Sequence, residues 1–152
     1  MAVVLAIAGL LPLIFCACGI VFFASGVPIP NLMMAFVIYG AVSLSFFGAV
    51  HWGLALEPSP MIITTGADRM DISRLALGVV PAFVGWVAAY TAFAWMPVAG
   101  VAILAVAVPL LALLERQGWR AGALPTGYMG LRWIVTAVTE CCLLVVLVAR
   151  LF

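Results

Sequence analysis

The chain has 152 residues, of which 68% are hydrophobic and only 7% charged, with a formal net charge of +1. A soluble domain carries about 25% charged residues, so this chain cannot clothe a water-facing surface, and most of its outer face must meet lipid. The near-zero charge also argues against nucleic acid as a partner. The mean hydropathy of +1.39 agrees, and the length leaves room for one integral membrane domain over residues 1–152. Every basic residue is arginine, which hints at a GC-rich bacterial genome.

Five apolar segments follow one another, at about 2–25, 32–56, 74–93, 96–114 and 131–151. Each is near the roughly 20 residues that a helical span needs. The expected fold is therefore an all-α membrane protein, a bundle of five transmembrane helices. The first segment is too long for a signal-peptide core and has no basic residue before it, so it reads as a retained span. Its Cys16 and Cys18, with Cys141 and Cys142 in the last segment, lack zinc-knuckle spacing and read as small packing residues.

The first connection, Ser25 to Asn31, is uncharged and rich in Pro and Gly, and predicts a tight turn. The second segment has small residues at Ala41, Ser45, Ala49 and Gly53, a spacing of four that predicts a seam for close helix packing. His51, the only histidine, lies about 200° round from Ala49 and looks the other way. Gly48 leaves space beside its imidazole. The second connection holds Glu57, Asp68, Arg69 and Asp71, and Asp71 or Ser73 is placed to cap the third helix. In that helix Gly78, Ala82, Gly85 and Ala89 offer further close-packing surface. Pro12, Pro81 and Pro109 fall within spans and imply either fixed bends or hinges. The connection near Ala94 to Pro97 is short and neutral, and the one from Glu115 to Gly130 is polar.

The last segment carries Arg132, Thr136, Thr139 and Glu140 within about 100° of one another, a polar stripe on an apolar rod. Glu140 is near the middle of the span, where a charge is paired, protonated or functional. Arg132 is about 12 Å from it along the axis, too far for direct contact, so Thr136 or water has to bridge. Depth counting puts His51 and Arg132 at similar levels, about 11 and 12 Å from the centres of their spans. If the two helices touch, the pair shares one pocket.

Arg69, Arg74, Arg116, Arg120 and Arg132 gather on the side of the N-terminus, and Arg150 alone on the other. The positive-inside rule then predicts a cytoplasmic N-terminus and an outside C-terminus. Trp52, Trp119, Tyr128 and Trp133 fall near the inner boundary, and Tyr90 and Trp95 near the outer.

The stretch from Phe46 to Leu56, with Gly48, His51, Trp52 and Gly53 at its heart, resembles the signature of a family of small polytopic membrane proteins of unknown function, domain of unknown function 3429, which includes transmembrane protein 69-like proteins. Arg74 followed by Val79, Val80, Pro81 and Trp86 fits the same pattern, as do Leu124, Pro125, Tyr128, Leu131, Arg132 and Thr136. Met129 stands where that pattern has a basic residue. The resemblance implies a bacterial inner membrane or mitochondrial inner membrane setting and assigns no activity.

The sequence has no Ser-His-acid set, no metal-binding pair of histidines and no phosphate-binding glycine loop. We therefore expect a non-enzyme, an accessory or assembly subunit of a larger energy-transducing membrane complex, respiratory or photosynthetic, with lipid and other membrane subunits as partners. Two alternatives stay open. Proton or small-solute transfer could run through Glu140. His51 could hold haem, bacteriochlorophyll or a quinone, or join a proton relay, rather than being a simple buried imidazole.

Overall fold

A computed structural model describes residues 2–23, 31–56, 67–120 and 127–152. These form five helices: α1 (Ala2–Phe22), α2 (Leu32–Leu56), α3 (Ala67–Ala94), α4 (Pro97–Arg120) and α5 (Tyr128–Leu151). Four of them, α2 to α5, are long and apolar enough to cross a membrane, and the part of α1 from Ala6 to Phe22 is a shorter apolar helix. The chain is thus an all-helical, multi-pass membrane protein. The first turn from Ser25 to Pro30, the stretch of the second connection that includes Glu57, and Leu124 and Pro125 lie outside the described residues.

Two helix ends differ from expectation. The third helix begins at Ala67, so Asp71 and Ser73 fall inside it and not at its start. The reason is that no glycine or proline interrupts the run between Ala67 and Leu77, and acidic residues are tolerated in the opening turns, where the helix dipole favours them. The fourth helix runs on to Arg120, past the first charged residue at Glu115. Gly118 lies within that stretch without ending it, since a single glycine costs a helix only about 1 kcal/mol and the backbone bonds continue as readily through a polar turn as through an apolar one.

Other ends are set by local chemistry. Asn31 has φ 62° just before α2, the left-handed region that asparagine visits more readily than most residues. Gly127, at φ 90°, turns the chain into α5. Between α3 and α4 only Trp95 and Met96 intervene, and Pro97 opens α4, a position where its missing N–H costs nothing. Pro12, Pro81 and Pro109 all sit inside continuous helices.

The helices form a ring in the order α1, α2, α3, α4, α5, closed by α5 on α1, with α2 also packed on α4. The core holds Leu13, Ile20, Phe36, Val37, Leu44, Ala88, Val101, Leu104, Val108, Leu143 and Val146, all buried. The outer faces carry exposed Phe15, Phe46, Phe83, Trp86, Tyr90, Phe93, Val106 and Ile134, as a lipid-facing surface requires. Trp119 and Trp133 are exposed near one end, and Tyr90 and Trp95 near the other.

The tightest interface joins α2 and α3. A Cβ added at Gly85 would lie 2.8 Å from the Ala41 carbonyl oxygen, and one at Gly48 would lie 2.9 Å from that of Gly78. Each helix steps seven residues between these contacts, in opposite directions, so the helices are antiparallel with a heptad-like seam. This seam shares Ala41 with the expected stripe and then departs from it. Ser45 is half-buried and donates its hydroxyl to the Ala41 carbonyl at 2.9 Å. Ala49 and Gly53 are exposed, and nothing lies within 4 Å of a Cβ at Gly53. The cause is helical drift: each step of four turns about 40° too far, so by Gly53 the stripe has swung about 120° from Ala41. Gly48 correspondingly faces α3, where the Gly78 carbonyl and Pro81 occupy the space that its missing side chain leaves.

Candidate functional site: a buried His–Glu–Arg centre

The deepest polar feature forms where the end of α2, the end of α4 and the start of α5 meet. Glu115 accepts a hydrogen bond from Arg132 Nε at 2.5 Å on Oε2, and its Oε1 lies 3.2 Å from His51 Nε2. All three side chains are buried, with residue exposures of 3% for His51, 1% for Glu115 and 4% for Arg132. The Arg132 guanidinium carbon sits 4.2 Å above the centre of the Phe47 ring, a cation–π contact from α2. One carboxylate therefore ties three helices together, and an aromatic face covers the cation.

Each residue reaches the centre by helical position. His51 and Phe47 are four apart, so both point from the same side of α2. Glu115 follows Val108, Leu111 and Ala112 on the buried face of α4, and Arg132 begins the buried row Val135, Thr136, Thr139 and Leu143 on α5. The charges are buried because they continue apolar faces that pack inward. In such a place an ion is tolerated only when paired and hydrogen-bonded.

His51 and Arg132, expected at one depth, meet in this one centre through a third residue. The sequence reading missed Glu115 because it ended the fourth span at Leu114 and treated the next residue as loop. The signal was present: Glu115 is four residues after Leu111 and seven after Val108, on the inward face of an unbroken helical pattern. The expected link from Arg132 through Thr136 to Glu140 takes a different form, since Arg132 Nε is bonded to Glu115 and Thr136 Oγ1 has no hydrogen-bond partner among the described residues. Glu140 is half-buried, with its Oε2 buried and likewise unpartnered among the described residues.

Away from the centre, Tyr39 donates its hydroxyl to the Gly9 carbonyl at 2.6 Å and fastens α2 to α1. Beside that bond a cavity of about 350 Å³ is lined by Gly9, Leu10, Ser43, Phe46, Phe47 and Val135. Cys18, Cys141 and Cys142 share an apolar groove between α1 and α5. Among the described residues no three His, Cys, Asp or Glu side chains form a set able to hold a metal.

Comparison with known proteins places this architecture. A family profile described as "Protein of unknown function (DUF3429)" matches residues 1–148. Transmembrane protein 69 of Xenopus tropicalis is 36% identical over 88 residues, which make up 57% of this chain and 31% of that protein. The chain thus covers less than a third of that relative's length. No solved structure matches it. With nearly its whole length matched, and with the His51 signature region built into a buried ionic centre, the chain belongs to the DUF3429 family of multi-pass membrane proteins, of which transmembrane protein 69 is a relative.

Proposed function

We propose that this chain is a small inner-membrane subunit without catalysis of its own, which accompanies or helps assemble a larger energy-transducing complex, respiratory or photosynthetic. In this reading it crosses a bacterial inner membrane five times, with its N-terminus in the cytoplasm and its C-terminus outside. The gathering of Arg116, Arg120 and Arg132 near one end of the bundle supports that orientation.

The observation that carries the proposal is that one carboxylate, Glu115, joins three helices. Both oxygens of Glu115 are taken, one by Arg132 and one by His51. The arrangement holds helices in register. A membrane protein whose strongest polar interactions serve its own assembly is suited to a scaffold role. The outer face of α3 adds support. Phe83, Trp86, Tyr90 and Phe93 are exposed along one stripe, and the Trp86 and Tyr90 rings stack with centroids 5.5 Å apart. Rigid aromatic groups of this kind are common anchors where one protein meets another.

The cofactor reading of His51 fits less well. Haem or bacteriochlorophyll bound through Nε2 would displace Glu115, leaving a carboxylate and a guanidinium to rearrange within a buried site. A quinone that accepts a bond from Nδ1 avoids that conflict.

The test is purification from native membranes in mild detergent, with mass spectrometry of whatever migrates with the protein. Co-migration with subunits of one large complex is the expected result. A lone protein under conditions that keep known complexes intact would refute the proposal. The same sample distinguishes the cofactor reading, because an absorption band lost in His51→Phe would signal a bound pigment.

A further inference from the structure

The buried side-chain nitrogen and oxygen atoms without a hydrogen-bond partner among the described residues are Nη1 and Nη2 of Arg132, Oγ1 of Thr136, Oγ1 of Thr139 and Oε2 of Glu140. All belong to α5, and all lie along its inward stripe. Arg132, Thr136 and Thr139 are each more than nine-tenths buried. Within a membrane such groups have no access to bulk solvent, and hydrocarbon cannot satisfy them.

Their steps along the helix are short. Along the axis, Thr136 is about 6 Å from Arg132, Thr139 about 4.5 Å further, and Glu140 about 1.5 Å beyond that. One water molecule with two hydrogen bonds spans up to about 5.5 Å between polar atoms. Two waters on the first step and one on each shorter step would therefore join these groups in a file, each water meeting the two or more polar partners it needs.

The polarity is also one-sided. From the ends of α2 and α4 to the middle of α5 the interior holds His51, Glu115, Arg132, Thr136 and Thr139. Towards the opposite end the buried residues are Ile20, Phe36, Val37, Ala92, Val101, Leu104, Leu143 and Val146, all apolar.

We propose that α5 lines a proton half-channel: a file of internal waters running from the His51–Glu115–Arg132 centre to the carboxyl of Glu140, and ending there. Protons pass along the waters to and from Glu140. Arg132 orients the first waters and carries no proton, since a guanidinium does not release one in proteins. The half-buried Glu140 is then the point at which a proton reaches the outer face of the bundle, at mid-membrane. The inference concerns water in this chain alone and does not depend on the identity of any partner complex.

The test is water-edited solid-state NMR of the isotopically labelled full-length chain in lipid bilayers, which reads how fast magnetisation passes from water to each side chain. Thr136, Thr139 and Glu140 should build up several-fold faster than Leu143 and Val146. A Thr139 signal as slow as that of Leu143 would overturn the half-channel. In the double variant Thr136→Val with Thr139→Val, the fast transfer to Glu140 should be lost, and in the matching pair of Thr→Ser changes it should remain. Unchanged transfer in the valine variant would mean that Glu140 meets water by another route, which also ends the proposal. If the valine variant does not fold, the wild-type ranking of Thr139 against Leu143 still decides.

Discussion

At the scale of single residues, Glu115 governs the buried centre because it is the shared partner. Removing it leaves Arg132 with a positive charge that it cannot lose and no counter-charge at that atom. Removing Arg132 instead leaves a carboxylate that still has His51 Nε2 3.2 Å from its Oε1. The two changes are therefore unequal. Glu115→Leu should cost about 3–5 kcal/mol, the usual cost of stranding one member of a buried pair, whereas Arg132→Leu should cost about 1–3 kcal/mol, nearer the loss of hydrogen bonds. The double change, Glu115→Leu with Arg132→Met, should be milder than Glu115→Leu alone, since both charges go together. Reversible unfolding of the variants in mixed micelles measures all three, and equal costs for the two single changes would contradict this account. His51→Phe leaves the Arg132–Glu115 bond in place and should cost less than Glu115→Leu in the same assay.

At the scale of elements, the helices were legible and the seams between them were not. Apolar length alone marks five segments, because the membrane forces each to satisfy its backbone internally. The ends of α3 and α4 escaped because charge was read as the edge of a span, while a helix ends only where caps or breakers end it. That error hid Glu115, and with it the centre. The α2 seam escaped for a geometric reason: a spacing of four rotates out of an interface within three turns, while a spacing of seven, Ala41 to Gly48 against Gly85 to Gly78, stays in it. Two of the three glycines of α2, Gly48 and Gly53, make this testable. Gly48→Ala forces a Cβ to within 2.9 Å of the Gly78 carbonyl oxygen, and should destabilise by about 1–3 kcal/mol, as overpacked sites do. Gly53→Ala meets open space, and should be neutral or stabilise by up to about 1 kcal/mol through helix propensity. Thermal denaturation of both in one detergent is sufficient, and a Gly53→Ala loss as large as that of Gly48→Ala would favour the four-residue seam after all.

At the scale of the whole molecule, the interior divides into a polar half and an apolar half, and that division limits what the chain can do alone. A proton that reached Glu140 from the Glu115 end would face about 16 Å of helix with only apolar residues inward, taking Leu143 and Val146 as the lining and 1.5 Å per residue to the end of α5. A charge in such a stretch is too costly to carry current. The chain by itself should therefore leave the proton permeability of liposomes unchanged, even under an imposed pH gradient. Leu143→Ser with Val146→Thr would extend the polar row by one turn at each position, and should raise the leak if the upper core is what blocks it. Measured with an internal pH dye, a leak in the wild type would show that the bundle conducts unaided, and the apolar half would not be a seal. No leak in the wild type, with a rise in the double variant, would fit a chain that brings protons halfway and relies on a neighbour pressed against Glu140 for the rest, which joins the one-sided core to the subunit role in a single physical picture.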